Sequence, residues 1–264
     1  MMTSARALFG VAAAGLLLTA CGAATSPDMS AMPGHQAMPA GDGLADHADG
    51  FRFVPTATVL GSEFRFRIED AGGRAVTLFE PDQTKLMHFY LIRSDLSGFQ
   101  HVHPTMAADG TWSAPLAETQ PGEYRAYASF IAGGKTAPLV LSQKVTAPGT
   151  GTTTPLPPAA TTTQVDGYTV TLGGGQLMAG MSRELTVTIT RDGKPVDNLQ
   201  PYLDTYAHLT AFHEGDQAFT HLHPANGPAL SFEAKLPKAG QWRLFIQFQT
   251  DGTLHTAAVT IAVG

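Results

Sequence analysis

Cysteine is nearly absent, because the 264-residue sequence contains only one, Cys21. No disulfide can form within the chain, so each folded domain must be stabilised by its hydrophobic core alone. Charge is also scarce, since only 14% of the residues are charged and the net charge is −6. A mildly acidic chain lacks the basic surface that nucleic-acid binding needs, and we expect no nucleic-acid partner.

Long hydrophobic runs are equally scarce, and the clearest one, residues 7–18, follows Arg6. It is shorter than a bilayer span and fits the apolar core of a signal peptide. The run ends in Leu-Thr-Ala-Cys-Gly, which resembles a lipobox, where the cysteine is lipidated and becomes the new N-terminus. The sequence therefore predicts a lipoprotein signal peptide at residues 1–20 and a lipid on Cys21, leaving no thiolate for a blue-copper site. The alternative is an ordinary secretory signal with a chance cysteine.

Enzyme motifs are missing as well. His213-Glu214 is not followed by the second histidine of a metalloprotease helix, and the glycines at 173–175 lack the Lys-Ser/Thr of a phosphate-binding loop. No Gly-x-Ser-x-Gly nucleophile elbow occurs. We expect a protein that is not an enzyme, with hydrolysis at a three-histidine metal as the remaining alternative.

Helical periodicity is lacking, while short runs rich in Val, Thr and Phe recur between turns. Residues 21–49, rich in Met, Gly and Pro, are predicted to be a flexible tether, and residues 148–165, rich in Pro and Thr, an extended linker. They leave two blocks, 50–147 and 166–264, each close in size to an immunoglobulin domain. The prediction is an all-β chain of two tandem immunoglobulin-like antiparallel sandwiches after the signal peptide and tether.

The two blocks are repeats of each other. Shifting the second by 120 positions aligns identical residues, including Gly73 with Gly193, Pro81 with Pro201, His88 with His208, Phe99 with Phe219, His101 with His221, His103 with His223, and Pro104 with Pro224. Self-similarity over the length of a domain indicates internal duplication.

Six of the ten histidines form two sets with the same spacing. They are His88, His101 and His103 in the first block and His208, His221 and His223 in the second. Residues two apart on a strand share a face, and a hairpin centred near Asp95 would bring His88 opposite His101 or His103. The three imidazoles of each block are therefore expected to converge.

Three convergent neutral imidazoles form a site for Zn²⁺ or Cu²⁺ and leave a fourth position for another ligand. The alternative is that the histidines are architectural, bonded across a sheet or covering an interface between the domains. A weaker metal signal lies in the tether, which is otherwise interpreted as merely flexible: Met29, Met32, His35 and Met38. His213 and His255 have no counterpart in the first block and are interpreted as surface residues.

Several segments resemble a family of bacterial secreted lipoproteins that are commonly described only as secreted or heavy-metal-binding. The likeness lies in Met87-His88, 95–104 (DLSGFQHVHP), 122–125 (GEYR), 199–203 (LQPYL), His208-Leu209, 220–224 (THLHP) and 242–248 (WRLFIQF). It covers most of residues 50–264 and implies metal binding. Asp204 and Ala207 stand where the family pattern predicts glycine, and Asp204 is a candidate charged partner for a metal.

These observations predict an extracytoplasmic lipoprotein, anchored in the cell membrane by its lipid, that binds copper or zinc for storage, sensing or delivery. The alternative is a non-catalytic immunoglobulin-like module that binds an extracytoplasmic protein partner at the cell surface and uses its histidines structurally.

Overall fold

The computed structural model describes residues 42–222 and 230–264. Within these ranges the chain consists of strands and turns, and no helix there is long and apolar enough to cross a membrane. Ten strands precede the linker: β1 His47–Ala48, β2 Phe51–Pro55, β3 Glu63–Asp70, β4 Phe79–Glu80, β5 His88–Arg93, β6 Gln100–Val102, β7 Thr105–Met106, β8 Trp112–Pro115, β9 Gly122–Ala132 and β10 Leu139–Ala147. Ten more follow: β11 Thr162–Val165, β12 Tyr168–Gly173, β13 Arg183–Arg191, β14 Lys194–Pro195, β15 Leu199–Gln200, β16 Ala207–His213, β17 Phe219–Leu222, β18 Ser231–Ala234, β19 Gly240–Thr250 and β20 Thr253–Val263.

Strand β3 shows how alternation in the sequence builds a sheet with one buried face. Phe64, Phe66 and Ile68 are buried in the core of the first sandwich, because side chains two apart on a strand point the same way. Arg65 and Arg67 point to the other side, where Arg67 donates a hydrogen bond to the Thr111 hydroxyl, 3.0 Å away. This outer face is solvated, as expected for an antiparallel sheet.

Strand β5 differs, because every one of its residues is buried. Phe89 and Leu91 belong to the core of the first sandwich, whereas Tyr90 and Ile92 belong to a separate cluster on the opposite face. A strand buried on both faces must lie in a sheet that is covered on both sides.

The sheets pair as two antiparallel sandwiches. In the first domain the orders are β1-β2-β3-β8-β7 and β10-β9-β5-β6, with β4 on β9. In the second they are β11-β12-β13-β14, with β18 on β13, and β15-β19-β16-β17, with β20 on β19. The predicted fold class, all-β with two tandem immunoglobulin-like sandwiches, is confirmed.

The two sandwiches pack face to face through the β5 sheet of one and the β16 sheet of the other. The apolar cluster between them contains Tyr90, Ile92, Leu96, Tyr127 and Val140 from the first domain and Phe212, Phe219 and Phe245 from the second. The half-buried Phe99 stacks on Phe245, with ring centres 4.2 Å apart. The described chain is therefore a stack of four sheets with a third apolar layer in its middle.

The end of the predicted tether is ordered, in contrast to the expectation of a flexible segment up to residue 49. The backbone N–H of Phe219 donates to the Asp42 carbonyl, 2.8 Å away, and that of Ser142 donates to the Ala45 carbonyl, 2.9 Å away. Between them Gly43 has φ +68°, and a Cβ there would lie 3.0 Å from Phe219 Cβ. Only glycine fits this junction easily. The two backbone hydrogen bonds attach residues 42–45 to both domains.

The linker is likewise attached rather than free. Arg93 forms a buried ion pair with Asp95, 3.0 Å apart, and donates to the Thr152 carbonyl, 2.9 Å away. The Thr154 N–H donates to the Asp95 carboxylate, 2.8 Å away. The linker therefore lies against the first domain, and its last residues, Thr162–Val165, form β11 of the second.

Candidate metal centre

The β5–β6 hairpin places its three histidines on one face. Tyr90 pairs with His101 in the antiparallel register, so their side chains point the same way. His88 precedes Tyr90 by two residues and His103 follows His101 by two, which keeps all four on that face. This face is turned toward the second sandwich.

The three imidazoles converge as the spacing predicts. Each of His88, His101 and His103 offers a ring nitrogen, and these atoms lie within 4.8 Å of one another. The ring centres are 5.4 Å (His88–His101), 5.0 Å (His88–His103) and 4.8 Å (His101–His103) apart. Nitrogens about 2.0–2.1 Å from a tetrahedral ion would put ring centres about 5 Å apart. The cluster, which we call the histidine triad, could therefore hold a metal ion.

Hydrogen bonds to the outer ring nitrogens decide which nitrogens face the centre with a lone pair. His88 Nε2 donates to the Asp82 carbonyl, 3.0 Å away, and His101 Nδ1 donates to the Gln247 carboxamide oxygen, 2.7 Å away. The Gln247 amide nitrogen in turn lies 3.3 Å from the Thr256 hydroxyl. Such outer contacts fix the tautomer of metal-binding histidines.

These tautomers leave two lone pairs facing each other. His88 Nδ1 and His101 Nε2 are 3.1 Å apart, and neither carries a proton to place between them. His103 Nε2 is buried and has no hydrogen-bond partner among the described residues. Two nitrogens on one tetrahedral ion would be about 3.3 Å apart, so a bound cation satisfies this arrangement.

Burial keeps the triad neutral. It lowers the pKa of His88, lowers the pKa of His101 well below its usual range, and lowers the pKa of His103 to about 3. The neighbouring imidazoles add to this effect at His101 and His103, because each would repel a second positive charge. Neutral imidazole is the form that binds metal.

The same tight turn orients the first histidine of each domain. In the first domain it runs from Asp82 to Lys85, and in the second from Tyr202 to Thr205. The central residues of both turns have positive φ, including Thr84 (+70°) and Asp204 (+65°). Asp204 thus occupies a conformation that glycine favours and aspartate tolerates. It is exposed on the turn and, within the described part of the chain, forms no hydrogen bond or ion pair with the triad.

The second-domain histidines do not stand apart from the first. Two separate sites were expected, but the His208 ring centre lies 6.2 Å from that of His101, and the His221 ring centre lies 5.9 Å from that of His88. His221 also contacts the Tyr90 hydroxyl, 3.3 Å from Nδ1. The described members of the two histidine sets therefore gather in one cluster at the domain interface, since the faces that carry them pack against each other.

Sequence reasoning missed Asp82, Tyr90 and Gln247. Tyr90 stacks on His101 with ring centres 4.3 Å apart, and the charge of Asp82 raises the otherwise lowered pKa of His88. Comparison of the repeats could not reveal them, because Asp82 aligns with Tyr202 and Gln247 with Ser129. Contacts between domains leave no spacing pattern in the sequence.

Other predicted positions fall in different places. Cys21, Met29, Met32, His35, Met38 and His223 lie outside the described residues. The interpretation of His255 as a surface residue is wrong, because its side chain is buried, whereas His213 is half-buried. His213 Nδ1 forms a hydrogen bond with the Asp216 carboxylate, 2.7 Å away, and His255 Nδ1 forms one with the Asp166 carboxylate, 2.8 Å away.

Both halves of the chain match one protein family, described as "Domain of unknown function (DUF8832)", over residues 55–146 and 163–264. The chain belongs to this family. The family's two matches cover one sandwich each, in keeping with the internal repeat. No protein of curated function matches the chain.

Similar solved structures share little with the chain beyond its strands. The Escherichia coli adhesin FdeC is 15% identical, with a TM-score of 0.26, over 83% of this chain and 65% of that one. The BSP domain of a biofilm-associated protein is 11% identical, with a TM-score of 0.21, over 80% and 29%. The FN1–FN3 domains of chicken CNTN1 are 8% identical, with a TM-score of 0.23, over 84% and 69%. The chain spans less than two thirds of the first two structures, and likeness at this level says nothing about function.

Proposed function

We propose that the protein binds a copper or zinc ion at the histidine triad. The observation that carries the proposal is the pair of imidazole lone pairs, on His88 Nδ1 and His101 Nε2, facing each other at 3.1 Å. An arrangement of two acceptors without a proton is unfavourable unless a cation lies between them. The buried His103 Nε2 beside them supports the same interpretation.

The chemistry of the ligands favours divalent ions of borderline softness. Imidazole suits both Zn²⁺ and Cu²⁺, and Cu²⁺ binds more tightly on raw affinity. The signal sequence and Cys21 motivate the rest of the proposal. We propose that the protein is a membrane-anchored, extracytoplasmic lipoprotein that stores, senses or delivers this ion without catalysing a reaction. The anchor is tested by Cys21→Ser, which should lose lipid labelling and membrane association.

Metal binding is tested by calorimetric titration of Zn²⁺ and of Cu²⁺ into the full-length protein in detergent at pH 7.5. We expect one ion at the triad, lost in the double variant His101→Ala/His103→Ala. His213→Gln is the matched control, because it removes a half-buried imidazole outside the cluster and should leave binding unchanged. A stoichiometry that the double variant does not alter would place the metal elsewhere, for instance on the tether methionines.

A second candidate function is a surface module that binds a protein partner. The observation that favours it is the complete burial of His88 and His208 within the domain interface, where imidazoles also serve as structural hydrogen-bonding groups. If neither ion bound the wild type, this architectural role would replace the metal proposal.

A further inference from the structure

We propose that His208, from the second sandwich, supplies the fourth ligand of the metal held by the triad, so that the ion joins the two domains. This inference rests on the proposed function and specifies how that site is completed.

The state of the His208 ring supports a ligand role. His208 is fully buried, and its Nε2 donates to the Tyr202 carbonyl, 2.7 Å away, with the Thr205 hydroxyl 3.1 Å away. The other nitrogen, Nδ1, then carries a lone pair, is itself buried, and has no hydrogen-bond partner among the described residues. A buried acceptor without a donor is unfavourable, and a bound cation would satisfy it.

The tautomer of His208 matches that of His88 for the same reason. Each ring donates from Nε2 to the carbonyl six residues earlier, at the first residue of a tight turn. In His88 this leaves Nδ1 directed at the triad. The repeated turn therefore orients both rings as Nδ1 ligands, one from each domain.

The position of His208 brings it to the edge of the triad. A charge on His208 would lower the pKa of both His101 and His103, and a charge on His88 would lower that of His208, because the rings are close enough to repel. The 6.2 Å between the ring centres of His208 and His101 exceeds the spacing of tetrahedral ligands by about 1 Å. The triad nitrogens lie within 4.8 Å of one another and those of His208 are not among them. The His208 ring must therefore move toward the triad to bind the same ion.

Neighbouring groups favour His208 over His221. The His221 ring already bonds the Tyr90 hydroxyl. Gln247, which faces His208 across the β16–β19 pair, is the group that orients His101. Strand β19 of the second domain, which pairs with the strand that carries His208, thus positions His101 of the first domain.

The test counts imidazole ligands. The full-length protein is loaded with Zn²⁺ or Cu²⁺, and X-ray absorption at the metal edge is recorded for the wild type, His208→Gln and the control His213→Gln. We expect four imidazoles in the wild type and the control, and three plus an oxygen in His208→Gln. Glutamine keeps a donor for the Tyr202 carbonyl, so the turn should be preserved. Affinity should fall at least tenfold, as for groups that support a metal site.

The outcomes separate this inference from the proposed function. Binding that needs His101 and His103 but keeps the same ligand number and affinity in His208→Gln would overturn the inference and leave the proposed function intact. If His208→Gln did not fold, three rather than four imidazoles in the wild type would overturn it equally. No binding by the wild type would overturn both.

Discussion

At the scale of single residues, burial decides how the histidines respond to acid. A free histidine titrates near 6.5, so three free ligands would lose about a thousandfold in metal affinity between pH 7.5 and 5.5 through proton competition. In the folded protein burial lowers the pKa of His103 to about 3 and that of its two partners below the usual range. Protons therefore compete with the metal at lower pH than they would for free histidine ligands.

We predict that the affinity for Zn²⁺ changes less than tenfold between pH 7.5 and 5.5. The measurement is competition against a chelator of known affinity at each pH, with the folded state checked by circular dichroism. A loss near a thousandfold in a protein that remains folded would show that the triad titrates like free histidine, and that the rings are hydrated rather than buried.

The triad itself could be predicted from sequence, whereas the groups around it could not. The spacing of His88, His101 and His103, together with the period of a strand, placed three rings on one face. Gln247 approaches His101 from a chain position 146 residues away, across the domain interface. Docking of two domains depends on the shape of both faces, and no local pattern encodes it.

At the scale of elements, the tight turns before β5 and β16 are the most constrained pieces of backbone near the cluster. Thr84 has φ +70°, a conformation that is costly for a β-branched residue. Replacing Thr84 with glycine would relieve that cost, which is about 1–2 kcal/mol. The greater conformational entropy of glycine in the unfolded state opposes this gain by about 0.5–1 kcal/mol.

We predict that Thr84→Gly raises the melting temperature by about 2 °C, in line with a net gain of about 1 kcal/mol or less in a chain of this size. The matched control is Thr56→Gly, at an exposed position without positive φ, which should lower stability. Differential scanning calorimetry measures both. A decrease for Thr84→Gly as large as for Thr56→Gly would mean that the turn is not strained.

Long strands with clearly alternating apolar residues can be predicted from the sequence, whereas short strands cannot. Strands β9 and β13 can be recognised in the sequence, because their apolar positions alternate over a long run. Strands β8 and β18 have only four residues each, which gives too few alternations for the sequence to identify them. Residues 75–79 have the composition of a strand, but only the last of them, Phe79, belongs to one, β4.

At the scale of the whole molecule, the apolar layer between the sandwiches makes them depend on each other. Phe219 packs on Tyr127 and Tyr90 of the first domain, with ring centres 5.1 Å away in both cases. Tyr127 also donates a hydrogen bond to the Gln217 carbonyl of the second domain. A linker alone would not hold two domains in one orientation, so this layer and the attached linker define the geometry of the cluster.

We predict that wild-type protein unfolds in a single calorimetric transition and that Phe219→Ala separates it into two. Removing a buried phenylalanine costs about 3–5 kcal/mol, here taken from the contact between domains. Phe232→Ala is the control, because Phe232 lies in the core of the second sandwich and should destabilise that domain without uncoupling it in this way. One transition in Phe219→Ala, merely shifted to lower temperature, would contradict the prediction.

The attachment of residues 42–45 at the domain junction also has a mechanical consequence. Twenty residues, 22–41, separate this segment from Cys21, and fully extended they reach at most about 70 Å. A lipid on Cys21 would therefore hold the molecule at the junction between its two domains, and not at one end of the tandem. Any tension between membrane and protein would act first on the carbonyls of Asp42 and Ala45, and so on both domains together. Pulling on the anchor would then strain the domain interface, which contains the histidines, before it strained the core of either sandwich.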